Sequence, residues 1–376
     1  MHELAAEMVA RGHQVTLLTS TRHISAGVLL ETIDGIDVVR VNAGKTLGSG
    51  WIARAISELF LSLETWWRAR KHILAANPDL IVFYSPSIFW GWLVQWTKNY
   101  FGCPAYLILR DIFPQWAIDL GLIRKFGPSA MLFRMFERKQ YAVSNTIGVQ
   151  SPANLDYFGD KPALGRRTEV LWNWIARSPL SANPSVSRQS LGLEGKCIFC
   201  YGGNIGVAQN LSGLIRIAVD LGSDSNAHFL IVGDGSEKRA IEKLVEELKP
   251  SNVTILPLLP QQEFDNLLNW IDVGLVILDP KLGTHNIPGK MLNYCAAGKP
   301  VIAQVNPGND LMDLLHQYGA GLSSAGDESA FQLNIKLLAG DADLRTELGV
   351  NGLRMASELF SVRTAAEQIL RAAFAK

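Results

Sequence analysis

The sequence predicts an α/β protein made of two doubly wound, parallel-sheet domains. Apolar runs of strand length alternate with helical periodicity along nearly the whole chain, the pattern of parallel sheets covered on both faces. The alternation breaks once, over a Pro- and Ser-rich stretch from Ala176 to Ser190, and then restarts. With 376 residues, 48% of them hydrophobic and 19% charged, the chain can build two or three cores and is not disordered.

The elements follow in order. "HELAAEMVA" reads as an amphipathic helix stopped by Gly12, and "QVTLLTS" as a strand. "IDVVRVNA" is a strand, and a long segment of apolar periodicity runs from Trp51 to Ala75. "PDLIVFYSP" is a buried strand, Ile88–Asn99 a helix, "PAYLILRD" a strand, Leu132–Tyr141 a helix, and "TIGVQSP" and "TEVLWNW" strands. Beyond the seam, "KCIFCYGG", "HFLIVGDG", "VTILPLL", "DVGLVIL" and "KPVIAQV" are strands with helices between them. In such sheets a ligand lies beyond the carboxyl ends of the strands.

Several function classes are disfavoured. Thirty-five basic residues balance 35 acidic ones, which argues against a dedicated nucleic-acid binder. Cys197 and Cys200 form a C-x-x-C inside an apolar strand, where alternation sends them to opposite faces. Reduced core cysteines of a cytosolic protein are the expected reading. No apolar run reaches the ~18 residues of a spanning helix, and no signal peptide opens the chain.

Three stretches carry chemistry. "YGGNIGVAQN" places Gly202, Gly203 and Gly206 between a strand and a helix, where backbone amides can approach a phosphate. "IVGDGSEK" places Gly233 and Gly235 similarly, but Lys238 stands where a dinucleotide fingerprint has its third glycine, so a plain tight turn remains open. In "GTHNIPGKMLNYCAAGKPVI", Pro288 pre-sets a first helical turn and Gly298 ends the helix. The free amides of that turn and the Lys290 ammonium favour an anion, and Asn293 lies on the same face, with an amide suited to a sugar hydroxyl. The bland alternative is a capped helix with a solvated lysine.

The ordered set "LWNWI", "YGGNIGVAQN", "LIVGDGSEK" and "GKMLNYCAAGKPVIA", with "ELAAEMVARGHQVTLLTS", "LRDIFPQ" and "ERKQYAVSNTIGVQSP" before it, resembles glycosyltransferases of the GT-B fold, family 4 type. The resemblance covers nearly the whole chain. It implies two Rossmann-like domains facing a central cleft: residues 1–175 on the acceptor side, a linker at 176–195, and a nucleotide-sugar domain at 196–355. Residues 356–376 would form a C-terminal helix packed back on the first domain. The implied activity is retaining transfer of a sugar, for example an N-acetylated amino sugar, from a nucleotide diphosphate, UDP by family frequency. The acceptor would be a glycan or a polyprenyl-diphosphate-linked sugar in surface polysaccharide (O-antigen, lipopolysaccharide or capsule) biosynthesis. No cofactor and no donor-site metal are implied.

Carried over residue by residue, the donor site comprises Gly203, Asn204, Gly233, Gly235, His285, Pro288, Gly289, Lys290 and Asn293, and Asp111 orients or deprotonates the acceptor hydroxyl. A turn or cap role for Asp111 stays open. The sequence also departs from the family pattern. The family's Glu-x7-Glu falls on His285 and Asn293, and its Arg and Lys diphosphate clamp falls near Asn204 and Gln209, all neutral here. Lys290 and backbone amides are left to hold the diphosphate, unless Lys281 or an arginine of the first domain supplies the charge. Family members also begin with a strand and Gly-rich loop ahead of the helix that here starts at Met1. Either the true start lies upstream or the first domain tolerates a gap in its sheet. Competing readings are a nucleotide-sugar epimerase or hydrolase of the same architecture, and a non-catalytic nucleotide-sugar binder.

Nine of the ten tryptophans precede residue 175. Trp66 and Trp67 beside Arg68, Arg70 and Lys71, with Trp90, Trp92 and Trp96 following, suggest a membrane-interface position. Core aromatics beside a solvated charge run are the alternative. The expected location is the cytoplasm, with peripheral contact at the inner face of the cytoplasmic membrane.

Overall fold

The computed structural model describes residues 1–21, 24, 27–42, 58–85, 87–119, 121–159, 165–175, 185–222, 226–280 and 287–374. They form two compact units, Met1–Trp172 with Val362–Lys376, and Asn173–Ser361.

Unit 1 runs α1 (His2–Ala10), β1 (Thr16–Ser20), β2 (Val28–Ile33), β3 (Ile36–Val41), α2 (Leu61–Ala76), β4 (Ile81–Tyr84), α3 (Gly91–Phe101), β5 (Ala105–Leu109), α4 (Gln115–Asp119), α5 (Pro128–Val143), β6 (Thr146–Val149), α6 (Pro152–Gly159) and β7 (Arg167–Val170). Its strands make two sheets, β1-β3-β2 and β4-β5-β6-β7. The second is wholly parallel, whereas β2 returns antiparallel on β3 through a tight turn with positive φ at Asp34 and Gly35. The described strands of unit 1 therefore fall into two sheets. Among the described residues, β1 and β4 are each a sheet edge. The antiparallel β2 is half-exposed and lacks a continuous apolar run, so no parallel-strand pattern marked it. The β5 strand is buried along its whole length and centres a core of Phe83, Val94, Leu107, Tyr141 and Ile147.

Unit 2 runs β8 (Cys197–Asn204), α7 (Leu211–Leu221), β9 (Ala227–Asp234), α8 (Lys238–Leu248), β10 (Val253–Leu256), α9 (Gln261–Trp270), β11 (Val273–Ile277), α10 (Lys290–Ala296), β12 (Val301–Gln304), α11 (Asp310–Tyr318), β13 (Gly321–Ser324), α12 (Glu328–Gly340) and α13 (Ala342–Leu359). Its six strands are all parallel, in the order β10-β9-β8-β11-β12-β13. Strand order reverses between β8 and β11, the switch point at which the carboxyl ends of a doubly wound sheet open a crevice. The chain's last helix, α14 (Val362–Phe374), belongs to unit 1. Arg11 bonds to Glu367 at 2.9 Å, and the Gln368 amide donates to the carbonyl of Val170 at 2.7 Å.

The four cysteines are free and buried. Cys197 packs among α7 and α12 side chains, while Cys200 lies with Tyr294 and Lys290 on the other face, as strand alternation requires. The tryptophans divide unevenly. Trp66 packs at a tilt against Trp96 at 5.8 Å, Trp92 packs edge-on to Phe136 at 5.0 Å, and Trp90 lines two cores, whereas Trp67 is 80% exposed. The aromatic set of α3 is thus chiefly packing between helices. No described helix is long and apolar enough to cross a membrane.

Candidate functional site

The site of unit 2 is built where β8 leaves the sheet. β8 pairs with β11 only at Phe199 and Cys200. Beyond that point the amide of Gly202 donates instead to the Tyr294 hydroxyl at 2.8 Å. Tyr294 can reach it because Gly274 has no side chain: a Cβ there would lie 2.2 Å from the tyrosine ring. Gly202 is bare for a related reason, since a Cβ would fall 2.2 Å from the Phe264 ring. Gly203 adopts φ +124, a conformation that favours glycine, and faces the end of the Lys290 side chain. Gly233 is opposite Gly203 in register, and a Cβ on it would sit 1.9 Å from the Gly203 carbonyl oxygen. The two glycine turns are also tied together, Ile205 donating to the Asp234 carbonyl at 2.8 Å and Glu237 to the Ile205 carbonyl at 2.9 Å. The second turn is thus a structural partner of the first.

These approaches leave a cavity of about 280 Å³ lined by Gly202, Gly203, Val232, Leu258, Leu259, Gln261, Phe264, Lys290 and Asn293. One wall is apolar, and the other carries an ammonium and a carboxamide. That combination suits a ligand with a flat apolar part and an anionic part.

Lys290 is the notable group. Its Nζ lies 3.5 Å from the centroid of the Tyr201 ring, and burial lowers its pKa from 10.5 to about 7. Among the described residues no carboxylate neutralises it. The ring face offers partial compensation, and an entering anion would offer more. Lys290 opens α10, so it stands at the helix mouth as the sequence places it, but few free amides stand beside it. The helix has only seven residues, and the amides of Met291 and Leu292 are already turned onto the carbonyls of Pro288 and Gly289 at 3.1 and 3.2 Å. Gly289 caps the helix, so Pro288 precedes it instead of opening its first turn. Lys290 is placed by its contact with Tyr201, which sequence spacing does not encode.

The expected donor residues therefore separate. Gly203, Lys290 and Asn293 share the cavity. Gly233 and Gly235 support it from behind: a Cβ on Gly235 would meet the Ile205 carbonyl oxygen at 2.3 Å. The Asn204 amide donates to Gln209 Oε1 at 3.3 Å, and the Gly206 amide donates to the same oxygen at 3.1 Å. The two positions where a cationic clamp was sought thus hold each other. His285 and Lys281 lie outside the described residues. Sequence reasoning missed Val232, Leu258, Leu259, Gln261 and Phe264. The Pro-bracketed "PLLPQQEF" after β10 was the available signal.

Asp111 belongs to unit 1, two residues past the end of β5. Burial raises its pKa above the usual carboxylate value, opposed by the neighbouring Arg110 guanidinium. Arg110 is buried, donates to the Leu171 carbonyl at 3.1 Å, and has its pKa lowered to about 10 by burial. The Asp111 backbone carbonyl accepts from Ser85 Oγ at 3.3 Å.

Two family descriptions match consecutive parts of the chain: "Glycosyl transferase 4-like domain" over residues 1–174, and "Glycosyl transferases group 1" over residues 195–341. The chain belongs to the GT-B glycosyltransferases of family 4 type. This glycosyltransferase is 28% identical over 229 residues to the Escherichia coli (strain K12) protein named "Putative colanic acid biosynthesis glycosyl transferase WcaI". The match covers 59% of this chain and 56% of that protein. In fold it is similar to the sucrose-phosphate synthase of Thermosynechococcus elongatus, with a TM-score of 0.76 and 17% identity over 98% of this chain and 90% of that one. It is also similar to HepE of Anabaena, solved with UDP and glucose, with a TM-score of 0.65 and 18% identity over 91% of this chain and 87% of that one. The two-domain Rossmann-like fold of this glycosyltransferase is thus shared with both proteins.

Proposed function

We propose that the glycosyltransferase moves a sugar, with retention of configuration, from a nucleoside diphosphate to a glycan or lipid-linked acceptor in surface-polysaccharide assembly. The observation that carries this reading is the cavity that joins Phe264 and Leu258 on one side to Lys290 and Asn293 on the other. The nucleobase lies against Val232, Leu258 and Phe264, the ribose reaches the Asn293 amide, and the diphosphate meets Lys290 beside Gly203. UDP is the favoured carrier. HepE, which shares the fold, binds UDP, and the named function of the WcaI relative concerns colanic acid.

In the transfer, the bond between the anomeric carbon and the diphosphate oxygen breaks while the acceptor oxygen bonds to the same face. The acceptor proton passes to the departing phosphate oxygen, so no strong base is needed. Lys290 stabilises the charge that grows on the leaving diphosphate. Asp111, a half-buried carboxyl at the carboxyl end of β5, is assigned the orientation of the acceptor hydroxyl. The donor site works without a metal, because the lysine supplies the counter-charge.

Calorimetry with UDP, UMP, uridine and GDP tests the donor reading. UDP should bind more tightly than UMP, and uridine least. Product NMR with UDP-sugars and lipid-linked acceptors then reports the anomer. Failure of UDP and GDP alike to bind would remove the donor assignment, and an inverted product would remove the retaining mechanism.

A further inference from the structure

We propose that Tyr201 is a positioning residue of the donor site: its ring face seats the Lys290 ammonium, and its hydroxyl fixes that seat to the backbone of the glycine turn. The proposal rests on the donor reading, in which Lys290 meets the diphosphate. Lys290 Nζ lies 3.5 Å from the centroid of the Tyr201 ring. The two residues come from different elements, the ring from β8 and the ammonium from α10.

Of the two, the ring is the fixed partner. Tyr201 is fully buried, in one core cluster with Phe199, Leu211 and Ile231. Its hydroxyl donates to the Asn204 carbonyl, three residues on. The Asn204 side chain donates to Gln209, whose oxygen also accepts from the Gly206 amide. On the neighbouring residue, the Gly202 amide donates to the Tyr294 hydroxyl at 2.8 Å. Two buried phenols thus brace the end of β8, beyond the point where its pairing with β11 stops. The lysine is the adaptable partner. Its four-carbon stem is flexible, and without a seat the ammonium would turn toward water.

The chemistry favours a ring over a carboxylate at this place. The π face attracts the ammonium and does little for the neutral amine, so it holds charge on a group that burial tends to discharge. A carboxylate would hold that charge more strongly, but its own negative charge would repel an entering diphosphate. Burial raises the pKa of Tyr201, Tyr294 and Cys200, so all three stay neutral through the range in which the lysine titrates. The rest of the cavity lining carries no titratable group. A net cation is therefore left for the ligand, held beside Gly203, where a Cβ would lie 3.8 Å from Nζ.

The free protein tests the seat without nucleotide. Lysine labelled with carbon-13 at Cε is titrated by NMR, the Lys290 signal being identified by its loss in Lys290→Met. In the wild type the Lys290 Hε signals should be shifted upfield by the Tyr201 ring current and should titrate at about pH 7. Tyr201→Phe keeps the ring and should keep both features. Tyr201→Leu should abolish the ring-current shift and lower the midpoint by about one pH unit. Calorimetry with UDP reads the consequence. Tyr201→Leu should weaken binding about tenfold at pH 8 but less than about twofold at pH 5.5, where the lysine is mostly charged in both proteins. Damage to the turn alone would weaken binding equally at both pH values. An unchanged midpoint in Tyr201→Leu, or a loss of UDP binding independent of pH, overturns the proposal. So does a wild type without the ring-current shift, whether or not Tyr201→Leu folds. Failure of the wild type to bind UDP, with the midpoint shift intact, removes the donor reading and with it the role of Tyr201 there, but not the seat itself.

Discussion

Diphosphate binding should be linked to protonation of Lys290. In the free site the half-buried ammonium lies over Tyr201, and desolvation lowers its pKa to about 7. A bound diphosphate supplies negative charge and restores the charged form. At pH 8 the free lysine is about one-tenth protonated and the bound one nearly fully so, giving uptake of about 0.9 proton per UDP. From pH 7 to pH 9 the charged fraction of the free site drops from about one half to about one hundredth, weakening affinity about 50-fold, or ~2.3 kcal/mol. Lys290→Met should cost about 1.5–3 kcal/mol of UDP binding at pH 7, affect uridine little, and abolish the proton uptake. The same substitution should raise the melting temperature of the free protein. The unfolded chain keeps this proton up to about pH 10, so the penalty of burying the charge is full below pH 7 and is relieved as pH rises, by about 1.4 kcal/mol per pH unit. Calorimetry in buffers of different ionisation enthalpy counts the protons directly. No uptake at pH 8 and a flat affinity up to pH 9 would refute the placement of the diphosphate against Lys290.

Asp111→Asn should lower turnover about 100-fold with UDP affinity unchanged, and unchanged turnover would make Asp111 structural. Glu137 is buried with its pKa raised to about 7, so the unfolded state loses this proton first and stability should fall as pH rises from about 4.5 to 7. Glu137→Gln should remove that slope and stabilise unit 1 by up to ~3 kcal/mol at pH 8, read by tryptophan fluorescence, since nine of the ten tryptophans precede residue 175. Gly233→Ala should cost about 3 kcal/mol or more, seen as a lower melting temperature with lost UDP binding, because the new methyl meets a backbone carbonyl oxygen at 1.9 Å. Amide exchange should be faster in β1 and β4, each at a sheet edge, than in β8 and β9 inside the six-stranded sheet. Equal protection in the four strands would contradict the sheet order.

The strands of unit 2 were legible because a parallel sheet covered on both faces demands continuous apolar runs, and "CIFCY" and "HFLIV" supply them. Gly203, Lys290 and Asn293 were legible because glycine at a strand end and polar residues at helical spacing are local signals. The antiparallel β2 and the short β13 were not, since neither carries a long apolar run. The cavity's apolar wall was not legible either. Phe264 reaches it only because Gly202, 62 positions earlier, lacks a side chain, and no local pattern links the two. The lysine's state is the clearest division. Sequence by itself determined that a cation stands in the first turn of a short helix. Tertiary structure decided that it lies over Tyr201, largely withdrawn from water, where desolvation brings its pKa down to about 7. Desolvation depends on what the whole fold removes from solvent around one atom, and that quantity has no local sequence signature.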